Sequence, residues 1–199
     1  MPLTYPVDFP EFDGKTPIQK MTMRLKEATT MTESPFNYTQ LVNTYKAARW
    51  EAEITLRPLS HAEGRTFSAF LASLRGRLNT FFLAHPLEVL PSNLTVTSSG
   101  TFQAGSTQLR IDNTQTNTDL KAGKHIAINQ HIYVMLEDVD GGVSRLIDIA
   151  PHLKNQVVDN ANIEVDEPKG QWRLATSNFD FDIDRASKYS FSFSCIEVI

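Results

Sequence analysis

Two stretches near opposite ends of the chain constrain its fold more than any others. In RWEAEITLRPL (49–59), Trp50, Ala52, Ile54 and Leu56 alternate with Arg49, Glu51, Glu53, Thr55 and Arg57. In SKYSFSFSCIEVI (187–199), Tyr189, Phe191, Phe193 and Cys195 alternate with Ser190, Ser192 and Ser194. Successive side chains of a strand point to opposite faces, so each stretch reads as an antiparallel strand with one buried face. MTMRLKEAT (21–29) repeats the pattern more weakly, with Met21, Met23 and Leu25 on one side. Strands of this kind need partners and a layer to cover them, so the first requirement on the fold is a sheet.

One helix is expected beside that sheet. Pro58 ends the strand at 49–56, Ser60 is placed to cap, and Glu63 follows at the spacing of a capping box. Phe67, Phe70, Leu71 and Leu74 recur at three and four residues, and Gly76 is a natural stop. So short and one-sided a helix must lay its Phe/Leu face on a sheet, and the strand at 49–56 is the expected surface. TFFLAHP then re-enters the sheet.

After Pro86 the texture changes to Ser/Thr/Asn/Gly-rich sequence with short apolar bursts. Leu94–Thr97, Gln108–Ile111, His125–Ile128, Ile132–Leu136, Ser144–Ile149 and a strand within 160–165 are expected. Asn129–Gln130 reads as a tight hairpin turn, and Asp140–Gly142 as another. Short, regularly spaced strands suggest a small barrel or sandwich. The expected fold class is therefore mainly β: a β-sandwich with one short α-helix packed on the sheet, plus an inserted small β-barrel module. The expected division is 1–90 with 171–199 as the first domain and 91–170 as the insert.

The chemistry-bearing residues are sparse. A net charge of −4 with both signs dispersed argues against nucleic acid as the main partner. No apolar run approaches the ~20 residues of a membrane span, and MPLTYPVDFPEFDG has no signal-peptide pattern. The single cysteine, Cys195, excludes an internal disulfide and reads as a small core residue. His125 and His131 flank a turn and with a carboxylate would be the only zinc guess; solvated or packing histidines are the favoured reading. Asp180, Asp182 and Asp184 fall on one face of an extended segment, which fits a polar face better than a calcium site; EDVDGG (137–142) reads as a turn for the same reason. No nucleophile elbow, phosphate loop or dinucleotide fingerprint occurs. No catalytic residue, metal ligand or cofactor is assigned, and the chain is expected not to be an enzyme.

The run YKAARWEAEITLRPLSHAEGRTFSAFLASLRGRLNTFFLAHP (45–86) resembles the N-terminal region of distal tail and tail-tip proteins of long-tailed bacteriophages. In that family a Trp-bearing strand leads to an LRPLS-like stretch, a helix ending F-L-x-x-L-R-G, and an aromatic strand closing at proline. The rest fits in outline, with Lys124 where the family's G-D-x-I-x-I has Asp and Lys154 where its P-x-L-R turn has Arg. The resemblance implies a structural virion protein at the tail tip, forming a homo-oligomeric ring, expected to be a hexamer, that joins the tail tube protein to the tail-tip hub protein. It implies a β module projecting outward, which in some relatives binds carbohydrate, so a host surface glycan is a further candidate partner. No membrane and no specific nucleic-acid recognition are expected. The alternatives are a β-sandwich receptor- or carbohydrate-binding module of a phage tail, and a cell-wall hydrolase.

A ring repeats one heterologous contact until it closes, so each subunit must carry two complementary surfaces. The candidate interface residues are Tyr5, Phe9 and Phe12 on the proline-rich N-terminal arm, Phe36 and Tyr38 beside the Pro35 turn, and Arg75 and Arg77 after the helix. For the arm, a strap over its own domain is an equal alternative. For the arginines, solvated charge is the favoured one.

Overall fold

The structure, a computed structural model, describes residues 4–86, 95–113, 120–184 and 187–199. It is mainly β, with two sheets and one helix among the described residues. In chain order the elements are β1 (Val7–Asp8), β2 (Ile18–Glu33), β3 (Gln40–Leu56), α1 (His61–Ser73) and β4 (Phe81–Ala84). There follow β5 (Val96–Ser98), β6 (Gln108–Asn113), β7 (His125–Ile128), β8 (His131–Met135), β9 (Val143–Ala150) and β10 (Asn162–Ile163). The chain closes with β11 (Lys169–Leu174), β12 (Phe181–Ile183) and β13 (Tyr189–Glu197).

The first sheet runs β1-β4-β11-β13-β3-β2, with β12 on the far end of β13. The two alternating stretches are direct neighbours in it: Phe193 pairs with Ile54 and Cys195 with Ala52. Their apolar faces point the same way, and α1 covers them. Phe67 of α1 sits among Phe9, Phe70, Phe191 and Phe193, with the Phe191 ring centroid 4.9 Å away in an edge-on contact. The aromatic contacts of the helix thus run to β13, to Phe81 of β4 and to the N-terminal segment, while Ile54 and Leu56 of β3 complete the same core. A Cβ at Gly64 would overlap the Tyr189 side chain, so glycine here lets the first turn of α1 lie directly on β13.

Both halves of the capping box form. The Glu63 N–H donates to Ser60 Oγ at 3.4 Å and the Ser60 N–H donates to Glu63 Oε2 at 2.8 Å. The Arg57 guanidinium reaches Glu63 Oε1 at 2.6 Å, and this bond, with those from Ser60, holds the Glu63 carboxyl down at about 2. The helix ends one residue earlier than its glycine suggests: Arg75 and Gly76 both take positive φ, and the Asn79 amide donates to the Ser73 carbonyl. Replacing Ser60 with alanine is expected to cost about 1 kcal/mol of folding free energy, read by urea denaturation. Glu63 has a folded-state pKa below its unfolded one. Its stabilising share is therefore complete above its ordinary pKa of 4.5 and disappears as pH falls from there toward 2. The cost of S60A should shrink over that acid window.

The second sheet runs β10-β5-β6-β9-β8-β7. Reciprocal backbone bonds between Ala127 of β7 and Glu164, each 2.9 Å, bring its two ends together into a nearly closed barrel. Val96, Leu109, Ile111, Ile126, Tyr133 and Ile147 fill the interior. The β7–β8 turn is Asn129–Gln130, and both residues take the positive φ that a two-residue hairpin favours. Leu94, at the start of one expected strand, and the 90/91 division lie outside the described residues.

Candidate functional site

β2 and β3 continue well past the sheet that they belong to. The β3–β13 ladder covers Thr55 to Glu51, but the β2–β3 ladder runs on to Glu33 opposite Gln40. The result is a two-stranded ribbon over residues 27–47, almost wholly exposed. At its root the register breaks: Glu27 faces Ala48, but Thr29 faces Thr44, which leaves extra residues on β3. At its tip, Ser34 and Thr39 close the turn, the Asn37 carboxamide oxygen accepts from the Thr39 N–H at 3.2 Å, and Tyr38 takes positive φ.

The ribbon exposes a run of large apolar side chains. Phe36 is 96% exposed and Tyr38 75%, and Met31, Leu41, Val42 and Tyr45 are also exposed. An isolated two-stranded ribbon is marginally stable in water, and its unpaired edges are templates for pairing. Sequence reasoning finds Phe36 and Tyr38 and the strand at 49–56, but not that this strand begins at Gln40. The stretch LVNTYKA (41–47) is not buried on either face, so no alternation marks it.

The other candidate interface residues lie elsewhere. Phe9 is buried in the first core and Phe12 packs against that core from a half-buried position. The Phe9 N–H donates to the Phe82 carbonyl, and β1 pairs with β4 in parallel, so the arm straps its own sheet. The Tyr5 hydroxyl donates to the Ser73 carbonyl at 2.7 Å. Arg75 and Arg77 are exposed beyond the end of α1, with Leu78 exposed beside them. The structure brings Phe36 and Tyr38 together and gathers the arm residues at the other side of the sheet.

A groove of about 500 Å³ opens at the root of the ribbon, between it and the second sheet. Ala47, Ala48, Ile149, Ala150 and Pro151 give it an apolar lining; Lys46, Asp148 and His152 add charge and polarity. Burial, then the neighbouring Lys154 ammonium, pull the His152 pKa below its ordinary value.

The two sheets meet through a separate polar junction. Trp50 Nε1–H donates to the Ile132 carbonyl at 2.9 Å, and the Gln171 N–H to the Gln130 carbonyl at 2.9 Å. Glu197, whose side chain is 0% exposed, accepts from the Trp50 N–H at 3.0 Å and lies 3.3 Å from His131 Nδ1. A carboxylate only accepts, so His131 Nδ1–H donates to it, and His131 Nε2 stands 3.1 Å from the Asn155 amide nitrogen. Lys154 Nζ is buried without a hydrogen-bond partner, and burial lowers its pKa. His85 stacks on His125 with centroids 4.3 Å apart. His125 and His131 therefore serve different contacts, and in the hairpin register they face Val134 and Ile128 rather than each other.

Among the described residues, no group of three or more His, Cys, Asp or Glu side chains is placed to hold a metal ion. The Asp184 carboxylate accepts from the Lys188 N–H within its own loop. Cys195 is buried and burial pushes its thiol pKa far up, so it is not a thiolate at neutral pH. Among the described residues, no helix is long and apolar enough to cross a membrane. Comparison with protein-family models and with curated proteins finds no match to this sequence.

Proposed function

We propose that this chain is a structural subunit of a phage tail tip, assembling with copies of itself into a ring that joins the tail tube protein to the tail-tip hub. The observation that carries the reading is the ribbon: a long, nearly uncovered hairpin ending in Phe36 and Tyr38. A chain that keeps such an element needs something to cover it, and exposed apolar clusters mark interaction sites. The resemblance over residues 45–86 supplies the kind of assembly. A hexamer, and contact of the barrel with a host glycan, belong to that same expectation.

The test is the size of the full chain in solution, by sedimentation velocity and negative-stain imaging. Annular particles are expected for the native chain. The double substitution Phe36→Ser with Tyr38→Ser is expected to give monomers while changing unfolding free energy by less than ~0.5 kcal/mol, because exposed positions contribute little to the fold. A native chain that stays monomeric at high concentration and fails to bind tail tube protein would overturn the reading.

A further inference from the structure

We propose that in the free chain the ribbon acts as a flap, hinged at its root, that closes the groove by laying Met31 and Val42 on the outer wall of the barrel. The motion belongs to a single molecule and does not depend on the ring reading. In a ring, closure and assembly would compete for the ribbon.

The root is built to bend. The ladder pairs Glu27 with Ala48 and next pairs Thr29 with Thr44, so β3 advances four residues while β2 advances two. Bulges bend a strand, and hinges act at a few residues between stiffer units. Beyond the bulge the ladder is unbroken from Thr29–Thr44 to Glu33–Gln40, so the outer ribbon moves as one piece.

Closure extends a contact that already exists. On the inner side of the hinge Ala48 is buried, and Trp50 Nε1–H donates to the Ile132 carbonyl, so β3 packs on the barrel there. On the outer side, Thr29 and Thr44 line one wall of the groove while Leu136 and Asp148 line the other. Alternate residues of a strand share a face, so Met31 and Val42 point as Thr29 and Thr44 do, and Leu146 points as Asp148 does. Met31, Val42, Leu136 and Leu146 are all exposed. The two walls also have the same pitch. Thr44 to Val42 and Asp148 to Leu146 are each a step of about 7 Å, so the rows stay matched outward from the root. On closure the threonine row meets Asp148 and its ladder partner Gln108, and the Met31–Val42 row meets Leu146.

Charge neither drives nor forbids this contact. Glu27 and Asp148 stand with Lys46 at the root. Glu33 is the one charged residue from 28 to 45, and the barrel wall offers it both Arg110, the ladder partner of Leu146, and Asp112, the ladder partner of Ser144. What closure gains is the removal of apolar surface from water.

The experiment is cross-linking of the full chain carrying Gln40→Cys and Ser144→Cys, one row beyond Val42 and Leu146 on the two walls. The thiol reagent is bifunctional, with a span matched to the ~10 Å spacing of packed sheets. The native Cys195 is buried and does not compete. An intramolecular cross-link is expected at high dilution, at a rate independent of protein concentration and absent from either single variant. Adding Met31→Ser and Val42→Ser should slow it about tenfold, because the row that closure covers is no longer apolar. Labelling by a monofunctional reagent and the urea midpoint should stay unchanged, since both serines replace exposed residues. No intramolecular product, or the same rate with the two serines present, would overturn the flap. The contact uses neither Phe36 nor Tyr38, so sedimentation reads the ring separately. Rings from a chain that shows no closure would leave the ring reading standing, and closure in a chain that never assembles would keep the flap and overturn the ring.

Discussion

Replacing Phe67 with alanine is expected to cost about 3–5 kcal/mol, the range for removing a large aromatic side chain from a packed core. Phe67 has no exposed surface, and four aromatic neighbours surround it: Phe9, Phe70, Phe191 and Phe193. These belong to the N-terminal arm, the helix and the last strand, so truncation opens a cavity that no single element can collapse to fill. At a urea slope of about 2 kcal/mol per molar, the unfolding midpoint should fall by about 2 M. The control is Phe36→Ala, which removes the same ring from an exposed position and should leave the monomer's midpoint nearly unchanged. A loss below ~1 kcal/mol for F67A would mean that α1 does not depend on this cluster to stay on the sheet.

Local chemistry accounts for what was readable in the sequence. The Ser60–Glu63 box works between residues three apart, and the Asn129–Gln130 turn between adjacent ones, so their signals survive without knowledge of the rest of the chain. Alternation at 49–56 and 189–195 was readable because each strand buries one face. Where burial stops, the signal stops: β3 loses its alternation before residue 48, and its exposed half carries no strand pattern. The aromatic residues of the arm were visible, but not that Phe9 enters the core, because its partners β4 and α1 lie far along the chain. Nothing local asks for a glycine at position 64 of α1; the reason is Tyr189 of β13, whose side chain a Cβ there would overlap. Of the candidate interface, Phe36 and Tyr38 were readable as turn-flanking aromatics, whereas the groove was not: it takes backbone from β3, β9 and the loop around Gly105.

The polar junction between the sheets is not local either, since Glu197 joins Trp50, 147 residues away, to His131, 66 residues away. Glu197→Ala is expected to destabilise the chain by about 2–6 kcal/mol, the cost of leaving two buried donors without their acceptor. The physical reason is what stays behind. Without the carboxylate, the Trp50 N–H and the His131 Nδ1–H lose their acceptor, and the buried Lys154 ammonium loses the nearby negative charge that favours it. Each stranded donor carries a desolvation cost of about 1–3 kcal/mol. Glu197→Gln keeps the shape and one carbonyl acceptor, so it should cost clearly less than alanine. Hydrogen exchange should localise the effect. The Gln171 N–H, which bonds across to the Gln130 carbonyl, should lose protection in E197A before amides in the barrel interior do. Equal, small losses for alanine and glutamine would mean that apolar packing of Ile132 over Gly170, where an added Cβ would stand 2.9 Å from the isoleucine, holds the sheets together without help from the buried charge.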